Sequence, residues 1–147
     1  MVTLSASGAA RLALTFEELA KLPDEVLCEM LEAEADVVEP EISRQAEAML
    51  RGPYYEGAVA KAVYHKPPRR SVKSQNMHMY ISFKGTQHGE SIARIAYINE
   101  YGKRNQPPRP FIKTAIEKAA DAAIEAAADV LENYIEKSAV QLKYLLS

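Results

Sequence analysis

The sequence predicts an α+β domain in which a small antiparallel β-sheet packs against a long C-terminal helix, with acidic helices on the N-terminal side. Three observations carry this. Apolar residues recur at spacings of three and four from Leu27 to Met49. Apolar and polar residues then alternate with a period of two over residues 76–84. Finally, an alanine-rich stretch with helical periodicity runs from Ile112 to Tyr134.

The first 14 residues are small and weakly patterned and are expected to form a flexible arm, leaving residues 15–147 as one α+β domain. Thr15-Phe16-Glu17-Glu18 has the layout of a capping box, with a threonine acceptor and a glutamate three positions on. Pro23 ends that first helix, and Leu22-Pro23-Asp24-Glu25 starts the next, with proline in the first turn, where its missing N–H does no harm. The stripe that follows is Leu27, Leu31, Ala35, Val38, Ile42, Ala46, Met49. Pro40 interrupts it in sequence but not in phase, so either the helix kinks or a second helix starts there on nearly the same axis. Gly52-Pro53 closes it.

Residues 54–63 read as a short helix entering a strand. His65-Lys66-Pro67-Pro68-Arg69-Arg70-Ser71 reads as a basic loop stiffened by its prolines. In the strand after it, Met77, Met79, Ile81 and Phe83 share one face. Gly85-Thr86-Gln87-His88-Gly89 is a turn. Residues 91–96 are expected to return as the partner strand, followed by one helical turn to Tyr101, with Gly102 as the left-handed residue after it. Lys103-Arg104-Asn105-Gln106-Pro107-Pro108-Arg109-Pro110 is a second basic loop, expected to be extended and stiff. The last helix carries the stripe Ile112, Ile116, Ala119, Ala123, Ala127, Leu131, Tyr134. From Phe111 to Lys137 it would span roughly 40 Å, more than one small sheet can cover, so part of its apolar face calls for another helix or another subunit.

The net charge of −2 conceals a polarised chain. Residues 1–50 hold 3 basic and 11 acidic side chains, residues 51–113 hold 12 and 3, and residues 114–147 hold 3 and 6, giving −8, +9 and −3. Such a distribution suits a protein that meets a charged partner, including copies of itself. No apolar run approaches the 18 residues of a membrane span, and the N-terminus lacks the basic start and apolar block of a signal peptide. The single cysteine, Cys28, excludes an intrachain disulfide and reads as a small half-buried hydrophobe on an acidic helix.

Catalytic and ligand-binding patterns are sparse. His65, His78 and His88 stand in no metal-ligand spacing, and neither a nucleophile elbow nor a phosphate-binding glycine loop is present. No metal, cofactor or catalytic residue is therefore expected. The basic residues Lys66, Arg69, Arg70 and Lys73, with Lys103, Arg104 and Arg109, sit near several tyrosines and could hold a nucleic-acid backbone. Without a nucleic-acid-binding motif, pairing of loops 66–73 and 103–109 with acidic helices of the same or a neighbouring chain is the favoured reading, and a nucleic-acid-binding module the alternative.

One segment carries a resemblance. Ile95-Ala96-Tyr97-Ile98-Asn99-Glu100-Tyr101-Gly102, a polar loop, and then Pro108-Arg109-Pro110-Phe111 opening an alanine-rich helix resemble the neck, or tail-completion, proteins of long-tailed bacteriophages and prophages. Pro53-Tyr54-Tyr55-Glu56-Gly57-Ala58-Val59 fits the layout upstream, with Glu56 where a threonine is usual, and Lys103 stands where threonine or serine is common. The match is specific over residues 97–111 and follows element order over about 25–137.

The resemblance implies a non-enzymatic virion component made in the bacterial cytoplasm and acting at the head–tail joint. It implies a ring of identical subunits, six in number, around the DNA channel, in contact with other neck and tail proteins and with no membrane. The isolated chain could be a monomer that assembles only on its neighbours. Within the motif, Gly102 permits a left-handed turn, Pro108 and Pro110 hold Arg109 on a strut where it could pair with Glu100, and Phe111 anchors the long helix, leaving Tyr101 beside the turn. The basic loops of one subunit would then face the acidic helix of the next.

Overall fold

The computed structural model describes residues 4–5, 13–14, 21–52 and 56–146. The capping box at 15–18 and the Pro53-Tyr54-Tyr55 step lie outside them. Among the described residues the architecture is mixed, as expected, with α1 (Asp24–Met49), α2 (Ala58–Ala62), α3 (Ile92–Tyr101) and α4 (Phe111–Leu146) and eight short strands. The strands are β1 (Leu4–Ser5), β2 (Ala13–Leu14), β3 (Val63–His65), β4 (Arg69–Arg70), β5 (Met77–His78), β6 (Ile81–Phe83), β7 (Thr86–Gln87) and β8 (Glu90–Ser91). All pairing among the described residues is antiparallel, in the couples β1–β2, β3–β6, β4–β5 and β7–β8. Within the segment read as an arm, Leu4–Ser5 thus pairs with Ala13–Leu14.

The described chain divides into two compact units, one of residues 1–34, 67–79 and 122–147, the other of residues 35–66 and 80–121. Both α1 and α4 contribute a segment to each.

In the first unit, Val26 and Met30 of α1 are buried with Ala127 and Leu131 of α4, flanked by Leu22, Val130, Tyr134 and Ile135. Burying a side chain of leucine size is worth about 1.5–3 kcal/mol, so Leu131, with none of its surface exposed, is the anchor of this cluster. The β4–β5 ladder aligns Arg69 with His78 and Arg70 with Met77. Residues 71–76 turn the chain through Ser71 N–H to Asn76 O (2.9 Å) and Gln75 N–H to Ser71 O (2.9 Å), with Gln75 at φ 59°. Cys28 is half-buried with its Sγ 3.9 Å from Met77 Sδ, as a small hydrophobe should be.

Burial lifts the Glu34 carboxyl above its ordinary range. The folded state therefore keeps that proton to a higher pH than the unfolded chain. The resulting stabilisation is complete below the unfolded value and is lost as pH rises through the folded one. Glu34→Gln is expected to raise the thermal midpoint at pH 7 and to give no gain in acid below the ordinary carboxyl range. Parallel melting curves at the two pH values check this, and an equal gain at both would contradict it.

In the second unit, Ile42, Ala46 and Leu50 of α1 meet Val59, Ala60 and Ala62 of α2, Ile92 and Ala96 of α3, and Phe111 and Ala115 of α4. Val63, Ile81 and Phe83 of the β3–β6 pair close over them. The many alanines let the helices approach closely, and Ser43 Oγ–H spans one such contact to Ala60 O at 2.8 Å. Phe83 and Phe111 meet edge to face, centroids 6.0 Å apart at 61°.

Four sequence expectations change. First, the buried stripe of α1 shifts, while of the two arrangements open at Pro40 the single helix, Asp24–Met49, is the one found. Proline removes the hydrogen bond to the Asp36 carbonyl, but Pro40 and Asp36 are both exposed, so water can reach that group. Val26 and Met30, not Leu27 and Leu31, are the buried residues of its first two turns.

Second, the strand over 76–84 is two strands with different partners. β6 pairs with β3 (His65↔Ile81) and β5 with β4 (Arg69↔His78), and the two registers differ by one residue, since 65 + 81 = 146 and 69 + 78 = 147. Pro67 and Pro68 lie on the opposite side and have no N–H to continue the ladder, which ends with Lys66 N–H to Tyr80 O at 3.1 Å. The basic loop at 65–71 thus contains strand residues at both ends.

Third, residues 92–96 are helix rather than a returning strand. Ser91 Oγ accepts from the Arg94 amide at 3.1 Å and so caps α3. The strand before it is only Glu90–Ser91, in a two-residue hairpin with His88 (φ 51°) and Gly89 (φ 82°) at the turn, the pairing that a type I′ turn requires.

Fourth, the buried stripe of α4 starts at Phe111 and Ala115, and Ile116 is 49% exposed. From Ala119 through Ala123 and Ala127 to Leu131 the expected stripe is buried.

Candidate functional site

The motif at 97–111 joins α3 to α4, and its parts are held mainly by backbone groups. Gly102 N–H donates to Ile98 O at 2.7 Å, the last bond of α3. Its backbone is at φ 79° and ψ 177°, so it is not the left-handed helical residue expected but an extended mirror-image conformation that is essentially confined to glycine. Lys103 and Gln106 exchange both backbone hydrogen bonds, each at 2.9 Å, so Arg104-Asn105 is the tip of a tight turn. The loop is therefore folded over 103–106 rather than extended throughout. Asn99 ties this turn back to α3. Its side chain donates to Ile95 O (2.9 Å) and accepts from Gln106 Nε2 (3.3 Å), and its carbonyl accepts from the Arg109 amide (2.6 Å).

Glu100 is buried, with 8% of its surface exposed. It makes no pair with Arg109. Its Oε2 accepts from the Ile112 amide at 2.8 Å and its Oε1 from the Lys113 amide at 3.0 Å. These are two of the unpaired donors at the start of α4, where the helix dipole also favours negative charge. The next amide, Thr114 N–H, reaches Pro110 O at 3.1 Å, Pro110 itself has no N–H, and Phe111 N–H bonds Arg109 O at 2.8 Å. A helix terminus with two free amides holds a buried carboxylate better than one exposed guanidinium does, which explains the change of partner. Arg109 is exposed, with Nη1 3.4 Å from Arg51 O. Phe111 is fully buried, as the motif requires.

Sequence reasoning missed Ser91, Asn99 and Gln106. Only Ser91 had a readable signal, a cap residue immediately before a helical apolar run. Tyr97 and Tyr101 are 63% and 68% exposed, with ring centroids 4.8 Å apart. A shallow open depression beside them is lined by Tyr101, Lys103, Arg104, Asn105 and Pro107.

Of the expected basic residues, Lys66, Lys103, Arg104 and Arg109 fall in one unit, and Arg69, Arg70 and Lys73 in the other. The Arg70 guanidinium binds the Asp24 carboxylate at the start of α1 and the Gln75 carbonyl. Lys103 and Arg104 are exposed, without a side-chain partner among the described residues. His65 pairs with Glu39, and His88 Nε2 lies 3.5 Å from Glu56.

Among the described residues no group of three His, Cys, Asp or Glu side chains could hold a metal ion, and no helix is long and apolar enough to cross a membrane. No protein-family model matches the sequence, and no curated protein and no solved structure matches the chain.

Proposed function

We propose that this protein is a structural component of a tailed phage or prophage virion, acting at the head–tail joint as a neck or tail-completion protein that assembles into a ring around the DNA channel. The observation that carries the reading is the capped hinge. The Glu100 carboxylate on the Ile112 and Lys113 amides fixes the start of a 36-residue helix against a 10-residue one. Within the motif, Gly102 ends α3 and turns the chain, while Glu100, Pro110 and Phe111 start and anchor α4. No bond need be made or broken by such a part. Its work is to present surfaces at a fixed angle to neighbouring subunits.

The nucleic-acid alternative loses one of its cations to the Arg70–Asp24 pair. The test is negative-stain microscopy of the purified chain mixed with tail tubes of a long-tailed phage. Ring density at one end of the tubes is expected. Tubes whose ends stay bare at saturating protein, together with tight duplex binding that falls steeply with salt, would replace this reading by the nucleic-acid one.

A further inference from the structure

Two exposed faces of this chain are complementary to each other. On α3, Tyr97 and Tyr101 stand four residues apart on one ridge with Ala93, Arg94 lies on the adjacent ridge, and Lys103 and Arg104 extend the face beyond the helix end. All six residues are exposed. On α4, Ile116, Ala120 and Ile124 form a second four-residue ridge, with the two isoleucines 49% and 50% exposed. Glu117, Asp121 and Glu125 form the ridge beside it, all exposed, with Lys118 on its far side. One face is aromatic with three cations, and the other is aliphatic with three carboxylates. Ridges of this four-residue kind are the ones that interdigitate most often between helices.

We infer that the α3 face of one copy docks on the α4 ridges of a second copy, Tyr97 and Tyr101 against Ile116 and Ile124, with Arg94, Lys103 and Arg104 opposite Glu117, Asp121 and Glu125. This rests on the assembly reading above and deepens it by naming both sides of the joint. It also replaces the acidic N-terminal helix as the partner of the basic loop. Asp24 of α1 is already engaged by Arg70, and α1 displays no large exposed apolar side chain among the described residues, whereas α4 displays two. Tyrosine and arginine are the side chains that dominate interface energetics when desolvated. The two surfaces differ, so the docked pair keeps one of each free for further copies, and such a head-to-tail joint gives a ring where its rotation closes.

Two charge-reversed proteins test this. The first carries Arg94→Glu, Lys103→Glu and Arg104→Glu. The second carries Glu117→Lys, Asp121→Lys and Glu125→Lys. Each protein alone presents like charges at every joint, whereas an equimolar mixture restores opposite charges at every joint. Association is read by sedimentation at high protein concentration and by ring density on tube ends, after circular dichroism confirms native helix content.

Self-association about tenfold weaker or more is expected for either protein alone, with recovery in the mixture and with wild-type association weakened by salt. The inference is overturned if the separate variants associate as the wild type does, if the mixture fails to recover, or if the wild type stays monomeric in both assays. It is equally overturned if the first variant loses only duplex DNA binding. Recovery in the mixture without tube binding would keep the joint and discard the phage reading. Wild-type rings on tubes that both variants still form would do the reverse.

Discussion

Glu100→Ala is expected to destabilise the protein by about 1–3 kcal/mol, because it strips two amides at the start of α4 of their acceptor at one stroke. Each unsatisfied buried donor costs about 1–3 kcal/mol, and a charged acceptor is worth more than a neutral one. The carboxylate accepts from Ile112 and Lys113 at 2.8 and 3.0 Å from a site that is itself buried. Glu100→Gln should cost about half as much, since the amide oxygen can keep one of the two bonds while the NH2 group faces a donor. Urea unfolding of the three proteins gives the order wild type, Gln, Ala. An alanine variant within about 0.5 kcal/mol of wild type would show that the start of α4 does not depend on Glu100. The same pair of variants separates capping from ion pairing. Were Arg109 the partner, Arg109→Ala would cost as much as Glu100→Ala, whereas Arg109→Ala is expected to change stability by less than about 0.5 kcal/mol, the guanidinium being exposed.

This carboxylate also marks the limit of what the sequence discloses. Long helices are legible because their information is periodic and local. Ala35, Ile42 and Ala46 of α1 and the α4 stripe from Ala119 to Leu131 are buried where spacing places them. A cap delivered from the preceding helix has no local pattern. Glu100 lies 12 residues before the first amide it holds, and its charge made Arg109, a nearby cation, look like the natural partner. The strand at 76–84 failed for a related reason. Its alternation is real, but whether a strand continues depends on the donors of the chain beside it, and Pro67 and Pro68 withhold theirs. At 92–96 a β-compatible apolar run was overruled by one serine, whose hydroxyl starts a helix by accepting a single amide bond. Phe111 and Gly102 were identified from the motif, yet the conformation of Gly102 and the close approach that demands it appear only in three dimensions.

Gly102→Ala is expected to cost about 3 kcal/mol or more. Two independent penalties meet at that residue. The backbone sits at φ 79° and ψ 177°, a region where a side chain costs about 1–3 kcal/mol in conformational strain alone. A methyl group there would also stand 2.8 Å from Gln106 O, 2.9 Å from Pro108 N and 3.1 Å from Pro108 Cδ. Two of those three atoms are backbone, and the third belongs to a ring that cannot swing aside. Relief therefore requires moving residues 106–108, and with them the Lys103–Gln106 turn and the Asn99–Arg109 bond that precedes α4. The displacement should reach the Glu100 cap, so the double variant Gly102→Ala with Glu100→Ala is expected to lose less than the sum of the two single changes. Unfolding measurements on the four proteins of that cycle decide the matter. Additive losses would mean that the turn and the cap are independent devices. A shortfall of about 1 kcal/mol or more would mean that residues 97–111 act as one joint, as a part that must hold a long helix at a fixed angle to its neighbours has to do.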